Sequence, residues 1–105
     1  MKTQRQIQFD FEQANRQADN LDDIAGRLDD LANKKVATAR EELPAYWEGI
    51  SAKAFQGKQM ELEEEIRASA TKLRDEADKV RKVAKLIYNA EMAALAIATN
   101  RTYNA

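Results

Sequence analysis

Two acidic pairs, Asp22-Asp23 and Asp29-Asp30, stand seven residues apart and could in principle hold a cation. A seven-residue repeat places both pairs on one surface of a helix. Sites for hard cations usually collect oxygen ligands from a loop or from several helices, and helical di-iron sites also need histidine. We therefore interpret the two pairs as a solvated helix face and expect no bound metal.

Glu63, Glu64 and Glu65 form a second acidic group. Three consecutive residues of a helix point in three directions, so their carboxylates cannot converge on one ion. We predict that this run is exposed surface.

A basic cluster, Lys79, Arg81, Lys82 and Lys85, suggests phosphate binding. Three acidic residues lie between positions 75 and 78, within about a turn of the cluster, and no aromatic residue is interleaved to stack on a base. The pattern favours a solvated surface over a nucleic-acid site.

The chain contains neither histidine nor cysteine. This composition removes disulfides, thiol chemistry, histidine general bases and most zinc sites. Hydroxyl side chains are present, but no histidine base or glycine-rich strand-to-helix elbow accompanies them. We predict a non-enzymatic protein that uses no cofactor.

The elements that carry these residues are helices. The 105 residues include only three Gly and one Pro, and a third of them are charged, which is typical of a soluble all-α protein. We predict an antiparallel helix-turn-helix hairpin, with one domain over 1–105, helix 1 over about 3–42, a turn over about 43–50 and helix 2 over about 51–100.

Local sequence signals set these boundaries. Thr3 and Gln6 have the spacing of a capping box at the start of the first helix. Pro44 disfavours helix at the residue before it, and Ser51 can cap the second helix.

Apolar residues recur at steps of three and four along both segments, as in amphipathic helices. Alanines alternate with large residues on the first stripe, so another helix can approach closely there, and Ala70, Ala77 and Ala84 flank the second stripe. Both stripes are wider than one neighbour can cover, so we predict that two hairpins pair into a four-helix bundle. The predicted packing residues are Phe11, Leu21, Ile24, Leu28, Leu31, Phe55, Leu62, Ile66, Leu73, Val80 and Ile87.

Charge is divided unevenly between the two segments. Residues 1–50 hold seven Lys/Arg and ten Asp/Glu, whereas residues 51–105 hold ten and eight. We expect a modest attraction between the edges of the two helices, since exposed ion pairs contribute only a few tenths of a kcal/mol each.

The only tryptophan precedes a glycine by two residues, in Tyr46-Trp47-Glu48-Gly49, between the two helical patterns. Glycine can adopt the positive φ of a tight reversal, and an indole can close the open end of a hairpin. We predict that Trp47 plugs the turn, and a further role in recognition stays open.

This central block resembles the WXG family of early-secreted-antigen-like proteins, small substrates of the bacterial type VII secretion system. The resemblance extends from Leu43-Pro44-Ala45-Tyr46-Trp47-Glu48-Gly49 into Ala52-Lys53-Ala54-Phe55 and covers a cysteine-free chain of the family's length. It implies homo- or heterodimeric four-helix bundles that are exported folded, with Trp47 and Gly49 contributing to recognition. It also implies partners: the protein itself or a paralogous WXG-type protein, and a secretion ATPase.

The sequence predicts neither a cleaved signal peptide nor a membrane-spanning segment. Residues 1–10 lack the apolar run of a secretory signal peptide. Leu86–Thr99, the most apolar stretch, is shorter than the roughly 20 residues that cross a bilayer, so no stable membrane insertion is expected. These features imply that the protein either stays in the cytoplasm or leaves by a route that reads something other than a cleaved signal. The resemblance implies synthesis in a bacterial cytoplasm and secretion by a signal-peptide-independent route.

The family's second export element is a tyrosine followed four residues later by Asp or Glu. Tyr88 lies in the corresponding region, but Met92 occupies the fourth position and Glu91 the third. Since positions i+3 and i+4 both lie beside residue i on a helix, Tyr88 and Glu91 form a candidate export motif. Ordinary packing of Tyr88 is the alternative.

Two other functions remain open. Some small helical relatives look like dedicated partners of a larger toxin, whose helical targeting domain they bind; the wide apolar faces and the imperfect motif suit that role. An intracellular helical scaffold or adaptor would also explain the apolar stripes, but it would leave the Trp47-Gly49 spacing as coincidence.

Overall fold

A computed structural model describes residues 1–42 and 50–104, and these residues form helices and no strand. The first arm consists of α1 (Gln4–Asp30), a π-helical segment (Leu31–Val36) and α2 (Ala37–Glu42), and the second arm is α3 (Ile50–Asn104). The predicted all-α helical hairpin is confirmed. Trp47 and Gly49 lie outside the described residues.

The predicted capping box at the start of α1 is confirmed. The Thr3 N–H donates to Oε1 of Gln6 at 2.8 Å, and the Gln6 N–H donates to Oγ1 of Thr3 at 3.2 Å. Two backbone donors that the first turn leaves without an intrahelical partner are thereby satisfied. The helix consequently begins at a position that the local sequence defines.

The π-helical segment changes the phase of the first arm. At its end the Ala37 N–H is directed at the Ala32 carbonyl, five residues back. A π turn accommodates one residue more than an α turn, so the face marked by Ala32 continues eight residues later, at Arg40, instead of seven. Accordingly, Ala39 is exposed and Arg40 is half-buried.

The contacts divide the chain into two units: a terminal unit, Met1–Asn20 with Glu76–Ala105, and a central unit, Leu21–Asp75. The two arms run antiparallel in each. In the terminal unit, Lys2 reaches Glu91 and Asp19 reaches Arg81. In the central unit, Asp29 reaches Arg74 and Asn33 reaches Arg67.

Alanine forms the centre of both units. The terminal unit buries Ala18, Ala77 and Ala84 together with Ile7, and the central unit buries Ala25, Ala32 and Ala70. The prediction that Ala70, Ala77 and Ala84 flank the apolar stripe is wrong, because they occupy its most buried column. A methyl side chain lets two backbones approach closely, which leaves larger apolar side chains at the margins of the contact.

Candidate functional site

One edge of the central unit is closed by polar contacts between the arms. Nη2 of Arg74 donates to Oδ2 of Asp29, and Nε and Nη2 of Arg67 donate to Oδ1 of Asn33 at 2.9 and 2.8 Å. The Asp29–Arg74 pair joins an acid of the first arm to a base of the second, in agreement with the division of charge along the sequence. We call this side of the helix pair the polar edge.

The terminal unit has a polar edge of its own, which includes part of the predicted basic cluster. Nη2 of Arg81 donates to Oδ1 of Asp19 at 2.9 Å, and Nη1 donates to Oδ1 of Asp78 at 3.1 Å. Nζ of Lys79 lies 3.5 Å from Oε1 of Glu76. Acidic neighbours therefore compensate these charges, as expected for a solvated surface.

The acidic pairs on α1 also have basic neighbours. Oδ2 of Asp23 lies 3.0 Å from Nη2 of Arg27, and Oδ1 of Asp30 lies 3.6 Å from Nζ of Lys34. In the part of the chain that the structure describes, no group of three or more acidic side chains is placed to hold a metal ion.

Tyr88 of the candidate export motif packs against the first arm. Its ring centroid lies 4.8 Å from that of Phe11, with 34° between the ring planes, and Nζ of Lys85 lies 5.7 Å from each centroid. This arrangement combines a tilted aromatic pair with a cation–π contact. The ring of Tyr88 is therefore half-buried in the hairpin.

Glu91, three residues later, contacts Lys2, which lies two residues before α1. Its Oε2 lies 3.1 Å from Nζ of Lys2, which lies 2.8 Å from Oδ2 of Asp10 on its other side. The hydrogen bond to Asp10 and then that to Glu91 raise the pKa of Lys2 above its usual value. Tyr88 is thus in contact with Phe11 of the first arm, and Glu91 with Lys2 just before that arm.

The prediction that the Glu63-Glu64-Glu65 run is exposed is wrong for Glu63, which is only 4% exposed. Nε of Arg40 donates to its Oε1 at 2.9 Å, and Nη2 of Arg67 lies 3.8 Å from its Oε2. The hydrogen bond from Arg40 to Glu63 raises the pKa of the guanidinium. Burial of this carboxylate is tolerated because it is paired.

Two features explain the burial of Glu63: its alignment with the buried alanines of α3 and its pairing with Arg40. It precedes Ala70 by seven residues and so continues the column that Ala77 and Ala84 extend. The π-helical phase shift puts Arg40 on the facing side of the first arm. The seven-residue spacing between Glu63 and Ala70 is the sequence signal from which the burial of Glu63 could have been predicted.

Replacing Glu63 by alanine is expected to lower the free energy of unfolding by about 1.5 kcal/mol. This is the lower end of the range for hydrogen bonds to charged groups, since Arg40 remains 28% exposed and can recover water. Glu64→Ala is the matched control, because Glu64 is exposed and should change stability by less than about 0.5 kcal/mol. Equal losses in urea denaturation of the two variants would contradict the assignment of Glu63 to the core.

The opposite side of the central unit is apolar. On the first arm a groove of about 570 Å³ lies beside Ile24, Leu28 and Leu31, which share one face. Ile24 and Leu31 are 45% and 38% exposed. On α3, Phe55 and Leu62 are exposed as well. Around each helix of this unit, the polar residues lie on one side of the buried alanines and the large apolar residues lie on the other. The apolar residues of both helices therefore lie on the side away from the polar edge.

The terminal unit has the same arrangement. A groove of about 310 Å³ is lined by Ala14, Lys79, Val80, Val83, Ala84 and Ile87. Val83 and Ile87 are 52% and 51% exposed. In each unit separately, we call the exposed apolar residues and their groove the apolar edge of that unit.

The predicted packing residues divide into two groups. Six of them are half-buried at the margins of the alanine core, and five are exposed at the apolar edge or beside it. The half-buried residues are Phe11, Leu21, Leu28, Ile66, Leu73 and Val80; the exposed ones are Ile24, Leu31, Phe55, Leu62 and Ile87.

The paired helices, with a polar and an apolar side in each unit, place the chain in the class of small all-helical hairpin proteins. Residues 6–92 match WXG100, the family of proteins of 100 residues with WXG, so the chain belongs to this family of small, non-enzymatic type VII secretion substrates. No curated protein and no solved structure matches the chain. Among the described residues, no helix is long and apolar enough to span a membrane.

Proposed function

We propose that this protein is a non-enzymatic substrate of a type VII-like secretion system and leaves the bacterial cytoplasm as part of a dimer. Its membership of the WXG100 family carries this proposal. Residues 1–105 form one hairpin, with the turn over about 43–50, and export needs neither a cofactor nor a cleaved signal peptide.

The apolar edge of each unit supports the dimer. Ile24, Leu31, Leu62, Val83 and Ile87 leave between 38% and 52% of their surfaces exposed. Burying apolar surface contributes about 25 cal/mol per Å², and a second hairpin can cover a pair of helices along its length. The partner is a second copy or a paralogous WXG-type protein.

Two segments are proposed to carry recognition by the secretion machinery. Trp47 and Gly49 provide the family's central motif, and Tyr88 with Glu91 provides the second. Both residues of the second pair lie on α3 one turn apart, with a phenol and a carboxylate on neighbouring positions. The secretion ATPase is the proposed receptor.

Export is tested by comparing the culture medium of the source bacterium with and without an active secretion ATPase. We expect the protein in the medium only when the ATPase is active, and we expect the secreted species to have twice the monomer mass by light scattering. Its presence in the medium regardless of the ATPase, or its retention in cells that express every candidate partner, would remove the secretion proposal. A monomer at micromolar concentration would remove the homodimer.

A second candidate is a targeting partner that accompanies a larger toxin. The methionine at position 92, where the family motif has an acid, favours this role because the toxin could supply the missing part of the signal. In a pull-down from the source bacterium analysed by mass spectrometry, recovery of a large protein with a helical targeting domain identifies the targeting role. Recovery of an unrelated cytoplasmic complex identifies an intracellular scaffold.

A further inference from the structure

Lys2 is shared between two carboxylates on different helices. Its Nζ lies 2.8 Å from Oδ2 of Asp10 on α1, and 3.4 Å and 3.1 Å from Oε1 and Oε2 of Glu91 on α3. Side chains of Lys2 and Asp10 are each 49% exposed, whereas that of Glu91 is only 24% exposed. Glu91 is thus the less accessible of the two carboxylates that compete for the same ammonium group.

We propose that Lys2 masks Glu91 and so limits recognition of the Tyr88/Glu91 surface, with Asp10 as the acceptor that draws Lys2 away. This inference rests on the proposed export function. It also defines the chemistry of the receptor, which must supply a cation to replace Lys2 on Glu91.

The arrangement of these side chains allows Lys2 to leave Glu91 at a small cost in free energy. When Lys2 leaves Glu91 it keeps its contact with Asp10, so no ammonium group is left without a partner. The capping box of Thr3 and Gln6 holds the start of α1 independently of Lys2, so the helix does not need to unwind. Exposed ion pairs contribute little, and a receptor cation can therefore compete with Lys2.

Substitutions of Lys2 and of Asp10 are expected to have opposite effects on export. Lys2→Gln removes the ammonium group from Glu91 and is expected to raise the exported amount by about 1.4- to 5-fold, the range that an exposed ion pair allows. Asp10→Asn removes the competing acceptor, strengthens the contact between Lys2 and Glu91, and is expected to lower export within the same range. A merely structural role for these contacts would not give changes of opposite sign.

The measurement is the ratio of secreted to cellular protein in the source bacterium, with thermal melting of each variant as a folding check. Arg5→Gln is the matched control, since it removes one positive charge from the first turn of α1 and should leave the ratio unchanged. In a Glu91→Gln background, Lys2→Gln should have no further effect.

The outcomes separate this inference from the function on which it depends. Failure of wild-type export to depend on the ATPase removes both. ATPase-dependent export that is unchanged or reduced in Lys2→Gln, or that changes in the same direction in Lys2→Gln and Asp10→Asn, overturns the masking role alone. A rise in Lys2→Gln that persists in the Glu91→Gln background shows that Lys2 acts elsewhere and also overturns it.

Discussion

Ala77→Leu is expected to destabilise the hairpin by about 3 kcal/mol, the upper part of the usual range for overpacking a filled core. Ala77 is completely buried in the terminal unit, whose core also contains Ala18 and Ala84. The isobutyl side chain of leucine is larger than the methyl group it replaces and can be accommodated only if the two arms separate. For a domain of this size the melting temperature should fall by roughly 10–20 °C.

Ala68→Leu is the matched control for this substitution. Ala68 lies on the same helix but is exposed, so the same change of residue should shift stability by less than about 0.5 kcal/mol. Thermal and urea denaturation of the two variants measure the difference. If Ala77→Leu were as stable as the wild type, the alanine column could not be the contact between the arms.

Trp47→Ala is expected to stop export. Its structural consequence distinguishes two roles for the indole, which the sequence leaves open. If the ring plugs the turn, its removal lowers the free energy of unfolding by about 2–4 kcal/mol, as for other buried aromatic truncations. If the ring is read directly by the secretion machinery, export stops with a much smaller loss of stability.

Trp47→Phe provides the control for this experiment. Phenylalanine keeps an aromatic plug of reduced size, so it should restore most of the stability but not the export if the indole itself is recognised. Export of Trp47→Ala at the wild-type level would show that export does not require the indole.

The features that the sequence predicted correctly depend on neighbouring residues. The capping box needs only Thr3 and Gln6 at the right spacing, and the all-helical composition and apolar periods predict the two arms. In each case the physical cause lies within one or two turns of a helix. A contact between distant segments has no comparable local signal.

The features that were missed all depend on how one arm faces the other. A wide apolar stripe does not show which of its columns becomes the contact, so Ala70 and Ala77 were placed at the margin. The π-helical segment shifts by one residue the positions of the first arm that face the second arm, and composition does not reveal this shift. Burial of Glu63 depends on both, because its partner Arg40 reaches it only after the phase shift.

The alanine core has a consequence for how stability should be measured. Each methyl group buries little apolar area, while the bulkier residues Ile24, Leu31, Leu62 and Ile87 retain contact with water. If a second hairpin covers those residues, association and folding become linked by mass action. The melting temperature would then rise with protein concentration, and the folding equilibrium would belong to the pair of chains.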